Sequence, residues 1–147
     1  MNAPPNLIIC CVLLTTACGY TGGNHLTPPT AAQSAFAQRF RNAQGVKWKE
    51  EEGSVLEAEF VQDGNNYSAN YSMDVTWKVT EQTIAEKELP EAVHAIMGAR
   101  HLGAVIKKAE REITPDADLY EVELRTHSGK VEMMLTAEGV VIQEIAK

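Results

Sequence analysis

The sequence predicts an α+β domain made of two tandem repeats, each a helix followed by three antiparallel strands, with the helices packed on one face of the sheet. Three observations predict it. Apolar residues recur at helical spacing in two separate stretches, Ala32, Phe36, Phe40 and Ala43, then Val93, Ile96 and Met97. Each stretch is followed by segments that alternate apolar and polar residues at period two, broken by turn residues. The hairpins of the two sets superpose without a gap at an offset of 64 residues.

At 147 residues the chain has room for one domain, since domains most often hold about 100–150 residues. Its 44% hydrophobic and 22% charged residues are globular proportions, not those of a disordered or multi-span chain. Lys and Arg number 13 against 20 Asp and Glu, a formal charge of −7. An acidic chain with no dense basic stripe is a poor binder of phosphate backbones, so nucleic acid is excluded as a partner.

The first element is an export signal. Residues 7–14 read LIICCVLL, too short for a bilayer span of about 20 residues. The run suits the apolar region of a secretory signal, usually about 7–15 residues. Thr15-Thr16-Ala17-Cys18 then resembles a bacterial lipobox, with Thr15 where that motif carries Leu. Residues 1–17 are therefore expected to be a signal peptide and Cys18 the lipidated residue, with residues 18–30 as a tether. Cys10 and Cys11 would leave with the signal, so the folded domain would hold no thiol for catalysis, a disulfide or a metal. The expected location is the cell envelope, anchored by lipid to the outer membrane or free in the periplasm. The tether is rich in Gly, Thr and Pro, and its His25 reads as solvated.

Residues 31–147 form the expected domain, its repeats covering about 31–84 and 85–147. Thr30 and Gln33 have capping-box spacing at the start of the first helix. Residues 46–49 open a strand. Residues 54–61 alternate, with Leu56, Ala58 and Phe60 opposite Glu57 and Glu59. Asp63-Gly64 marks a hairpin turn. Tyr67, Ala69, Tyr71 and Met73 then share a face opposite Ser68, Asn70 and Ser72, and Trp77 and Val79 lead out after a turn at Asp74.

The second round opens at Leu89-Pro90, proline being tolerated in a first helical turn. Gly98 or Gly103 ends the helix. Residues 105–113 are a charged strand, residues 120–125 alternate, and His127 to Lys130 turn the chain into strands at 131–136 and 140–145. Glu57 matches Glu121, Glu59 matches Glu123, Tyr71 matches Leu135 and Asp74 matches Glu138.

Phe36, Phe40, Ala43, Val46 and Trp48, then Glu57-Ala58-Glu59-Phe60, Asp74-Val75-Thr76-Trp77, Leu89-Pro90 and Glu138-Gly139 carry a further likeness. With this spacing the chain resembles the PepSY-like, beta-lactamase-inhibitor-like family of periplasmic proteins and lipoproteins, from about Ser34 to the C-terminus. The turn after Asp74 departs from the pattern, holding Val75-Thr76 where glycine is expected. The resemblance implies an antiparallel sheet with helices on one face, an exported location and no enzymatic activity.

No catalytic constellation stands out. His94 and His101 are seven apart but lack a third strong ligand for a metal. His127 sits beside Ser128 in a turn, without a nucleophile elbow before any serine. No phosphate-cradling loop appears, and no cofactor is expected. The alternating glutamates read as solvated rather than as a paired acid and base. Trp48, Tyr67, Tyr71 and Trp77 cluster in the first repeat, either as core or as a recognition surface.

The expected function is a non-enzymatic binding or modulator module, presenting one sheet face to a protein or peptide. The alternatives are a structural lipoprotein without a specific partner and, far behind, a hydrolase. The candidate face is Glu57, Glu59, Ser68, Asn70, Ser72, Glu121, Glu123, Arg125, Glu132 and Met134, with Met134 expected at a contact centre. Reversing Glu57, Glu59, Glu121 and Glu123 together is expected to spare the fold and abolish partner capture.

Overall fold

A computed structural model describes residues 26–147. The expected signal peptide, Cys18, the tether up to residue 25 and His25 lie outside the described residues.

Helix α1 (Thr30–Arg39) is followed by strands β1 (Gln44–Glu51), β2 (Val55–Gln62), β3 (Asn65–Ser72) and β4 (Trp77–Thr83). A single 3₁₀ turn, Glu86–Glu88, leads into helix α2 (Glu91–Arg100) and strands β5 (Val105–Ile113), β6 (Asp118–Thr126), β7 (Gly129–Thr136) and β8 (Val141–Ala146). All eight strands form one antiparallel sheet in sequence order.

This corrects the expected two tandem helix-plus-three-strand repeats. Each half carries four strands, and the halves merge because β4 pairs with β5, from Thr80 opposite Ile113 to Thr83 opposite Glu110. The strand left out was β4, whose Thr80, Glu81, Gln82 and Thr83 lack apolar alternation. It sits in the middle of the sheet, where its neighbours supply pairing on both edges. Met73 is also corrected. It lies past the end of β3 and is exposed, not part of the inward row.

Both helices lie on the same face. Ala32 and Phe36 of α1 join Leu56, Ala58, Phe60, Ala69 and Tyr71 in one core. Val93 and Met97 of α2 join Ala109, Val122, Leu124, Val131, Met133 and Leu135 in the other. Following the cross-strand partners from β2 to β7 keeps all these residues on one side of the sheet. Each Val, Leu, Phe or Met side chain among them taken from water contributes about 1.5–3 kcal/mol. That is what holds two ten-residue helices, too short to be stable alone, against the strands.

The helix starts differ from the expected capping box. Pro29 and Pro90 are the N-caps, their carbonyls accepting from Ala32 and Gln33 and from Val93 and His94. The Gln33 amide reaches back to the Pro28 carbonyl at 2.9 Å. Gly98 lies inside α2, and Gly103 follows its end.

The hairpin between β2 and β3 turns on Asp63 (φ 51°) and Gly64 (φ 81°), two left-handed residues whose twist suits paired strands. The turns before β4 and β8 are matched. Ser72 N–H donates to the Thr76 carbonyl, and Thr136 N–H to the Val140 carbonyl. Val75 (φ 68°) occupies the left-handed position that Gly139 (φ 80°) fills in the second half. Valine there replaces the expected glycine at a cost, because its branched side chain disfavours that backbone.

Candidate functional site

The face turned away from the helices is the candidate site. Pairing places Glu57 opposite Asn70, Glu59 opposite Ser68, Glu121 opposite Met134, Glu123 opposite Glu132 and Arg125 opposite Lys130. With Ser72, all ten residues of the expected face therefore share one side of the sheet. Their exposure does not match a uniformly solvated surface. Glu59 and Arg125 are exposed, but Glu57 (3%), Asn70 (4%) and Met134 (3%) are buried. Met134 thus has almost no surface to offer as a contact centre.

The burial of glutamates is the finding that alternation could not show. Lys49 on β1 reaches Glu51 at 2.9 Å, Glu59 at 3.0 Å and Glu57 at 3.1 Å. Partial burial opposes the ammonium's charge, but hydrogen bonds to Glu51, Glu59 and Glu57 hold it above the usual lysine range. Burial pushes the Glu57 carboxyl up to about 7, against the pull of Lys49. Reversing Glu57 would set a second cation beside Lys49, so the expected four-site reversal would not spare the fold.

The second half repeats the position without the cation. Burial, then the charges of Glu110 and Glu132, raise Glu121 to about 7. Burial and the neighbouring Glu81, Glu121 and Glu110 raise Glu112 to about 8. Burial also lifts Glu81, with Glu110 adding to it, although Ser68 donates a hydrogen bond to its Oε2 at 3.0 Å. Lys108 binds Glu110 at 2.8 Å. Glu81, Glu110 and Glu112 were missed as site residues. Period two through residues 108–112 does put Lys108, Glu110 and Glu112 on one side, but only the β4–β5 pairing sets them against Glu81. A cavity of about 320 Å³ opens here, lined by Glu57, Glu59, Ser68, Glu81, Thr83 and Glu110.

The remaining candidates resolve individually. His94 and His101 line one cavity beneath α2, but His94 Nε2 meets the Glu86 carbonyl and His101 Nε2 meets Glu144, each at 3.0 Å. Among the described residues, no group of three His, Cys, Asp or Glu side chains is placed to hold a metal ion. The Ser128 hydroxyl is engaged by Thr126 at 3.0 Å. Trp48, Tyr67, Tyr71 and Trp77 all join the core under α1, which answers the choice between core and recognition surface in favour of core. No helix among the described residues is long and apolar enough to cross a membrane.

The chain matches no protein-family model and no curated protein. Its architecture recurs in solved structures. A BLIP-like protein from Bacteroides fragilis NCTC 9343 superposes with a TM-score of 0.75 at 22% identity, over 84% of this chain and 89% of that one. The two chains share one fold. A DUF2874 family protein from Bacteroides uniformis ATCC 8492 shares it at TM-score 0.75 and 21% identity, covering 80% of this chain and 88% of that one. A nominally periplasmic protein from Bacteroides eggerthii DSM 20697 does so at TM-score 0.75 and 18% identity, covering 81% and 88%. The inhibitor-like part of the resemblance thus holds as a fold; no PepSY-like protein is among these three. What this shared fold leaves bare, among the described residues, is the polar face just described.

Proposed function

We propose that this chain is a non-enzymatic binding module of the cell envelope that holds a protein or peptide on its helix-free sheet face. The observation that carries the reading is the one sheet face that the described residues leave uncovered, formed by all eight strands and lined with polar and acidic side chains. Broad polar faces bind through many modest contacts, with charge setting rate and choice of partner. The BLIP-like and nominally periplasmic neighbours support a binding role and an envelope location.

The test is capture from an envelope fraction with the full chain, cross-linked through cysteines placed singly on the two faces. Cross-links should form from the helix-free face and fade with salt. Glu59→Lys with Glu123→Lys should abolish capture and lower the thermal midpoint only slightly, because the Lys49 and Lys130 ion pairs they replace are partly exposed. Capture that survives this pair at unchanged salt sensitivity would leave a structural lipoprotein as the better reading. The lipid anchor belongs to the same proposal. Cys18→Ala should move the protein out of the membrane fraction or leave it unprocessed, and a mature membrane-bound variant would sink that part.

A further inference from the structure

We infer that Arg39, at the end of α1, is a receptor for a carboxylate side chain, aspartate or glutamate, of a protein or peptide partner. The site lies on the helix side of the sheet, across from the proposed binding face, and is independent of it. Two arginines close matching helices. Arg39 is the last residue of α1 and Arg100 the last of α2, each helix starting from a proline N-cap. In both, the next backbone N–H donates to the carbonyl four residues back, Phe40 to Phe36 and His101 to Met97, each at 2.8 Å.

Arg100 finds its carboxylate inside the chain. Its Nη1 donates to Glu144 Oε2 at 2.8 Å. Glu144 lies on β8 opposite Met133, and the residue in the same register of the first half is Thr80, on β4 opposite Ala69. A threonine hydroxyl cannot neutralise a guanidinium. Among the described residues Arg39 makes neither an ion pair nor a hydrogen bond, and its contacts are to rings. The carboxylate that Arg100 has within the chain must for Arg39 come from outside.

The rings hold Arg39 ready for it. Its guanidinium carbon lies 3.3 Å over the centroid of Trp77, so the planar group rests flat on the indole. Trp77 is itself fixed, its Nε1 donating to Thr80 Oγ1 at 3.0 Å. Arg39 is exposed, and its five N–H donors are unspent by the described residues. A side chain already held in place loses little further freedom when a ligand binds. The indole covers one face of the guanidinium, so a ligand meets its edge, where paired N–H groups match the two oxygens of a carboxylate. Phosphate fits less well. It brings about −1.5 to −2 charges to a single cation, on a chain whose net charge is already −7.

The test is an NMR titration of the full chain with three blocked pentapeptides, Gly-Gly-X-Gly-Gly, where X is glutamate, glutamine or phosphoserine. The chain holds 2 tryptophans, so the Trp77 indole N–H is a resolved reporter. The glutamate peptide should shift that signal and the amides at the end of α1, the glutamine peptide should shift neither, and phosphoserine should bind no more tightly than glutamate. Arg39→Gln should weaken the glutamate peptide about tenfold, the scale of one lost charge-assisted pair. Arg39→Lys, which keeps the charge but not the fork, should restore only part of the binding. Arg39 is exposed, so the thermal midpoint of both variants should move little, which separates lost binding from lost folding. Arg100→Gln should leave peptide binding unchanged. Equal response to glutamate and glutamine, or tighter binding of phosphoserine, overturns the inference. So does full binding by either Arg39 variant, or loss of binding through Arg100→Gln. None of these outcomes bears on capture by the helix-free face, which the cysteine cross-links read separately.

Discussion

Under α1 the sheet is filled with rings, and under α2 with aliphatic and thioether side chains. Phe36 packs edge-on against Phe60 (5.0 Å) and Trp48 (5.5 Å) and tilted against Phe40 (5.1 Å), while the Arg39 guanidinium lies 3.3 Å from the centroid of Trp77. At the matching places the second half has Met97, Leu124 and Val141, set among Val93, Val122, Met133 and Leu135. Yet both halves put their last bulge at the same place, between Asn70 and Tyr71 and between Met134 and Leu135. Two cores of different chemistry thus sit in one backbone frame. Period and turn geometry set the frame, and volume fills it.

The strongest way to break this comparison is to empty each core at its helix. Phe36→Ala should cost about 3–5 kcal/mol and Met97→Ala about 2–4 kcal/mol in chemical denaturation, because the ring leaves the larger hole. A larger loss at Met97 would mean that the aliphatic core, not the aromatic one, carries the sheet.

The matched turns offer the next test. A Cβ on Gly139 would come within 2.8 Å of the Ala92 carbonyl oxygen, in a left-handed backbone. Gly139→Val should therefore cost about 2–4 kcal/mol, from backbone strain and overpacking together. Val75→Gly should stay within about 1 kcal/mol, since relief of strain offsets lost contact and added chain entropy. Urea midpoints of the two variants check this asymmetry.

Acidity separates the halves further. Glu112 and Glu121 hold their protons to about 8 and 7 in the fold, against 4.5 as free side chains, so the folded state binds more protons between those values. Stability conferred by these groups is complete below pH 4.5 and falls as pH rises toward 8. Glu112→Gln removes one such group and should flatten that fall, raising stability by about 1–3 kcal/mol near pH 9. In the first half Lys49 offsets only part of the burial that raises Glu57 to about 7. Lys49→Met should steepen the same fall, and denaturation across pH 5–9 reads both variants.

The smallest effect concerns Tyr71, whose hydroxyl is buried without a partner where the second half has Leu135. Tyr71→Phe should be neutral or stabilising by up to about 1 kcal/mol. A loss by thermal denaturation would point to a hydrogen bond that the aromatic core hides.

The hairpins were legible to within a residue or two because Asp63-Gly64 and the alternation on either side are local signals. The offset of 64 that links Glu57 with Glu121 survives in the observed strands. The joint was not legible. Glu81, Glu110 and Glu112 become a site only when two strands far apart in sequence are laid side by side, and no period within either strand announces that. Burial of Glu57 was hidden for a similar reason. Alternation says which side a residue faces, but the flanking Lys49 and Asn70 decide how much water reaches it.

The strictly sequential order of the sheet has a consequence for how the chain reaches its fold. Every strand pairs with the one synthesised just before it, and most closures are hairpins of two to four residues. The widest gap, from β4 to β5, spans a single helix. Contact order is therefore low for an all-antiparallel sheet, and the entropy of closing long loops is largely avoided. Each strand can add to the growing edge as it emerges from a ribosome or a translocation pore, so that besides the outer edge of β1 one advancing edge has to be guarded against mispairing.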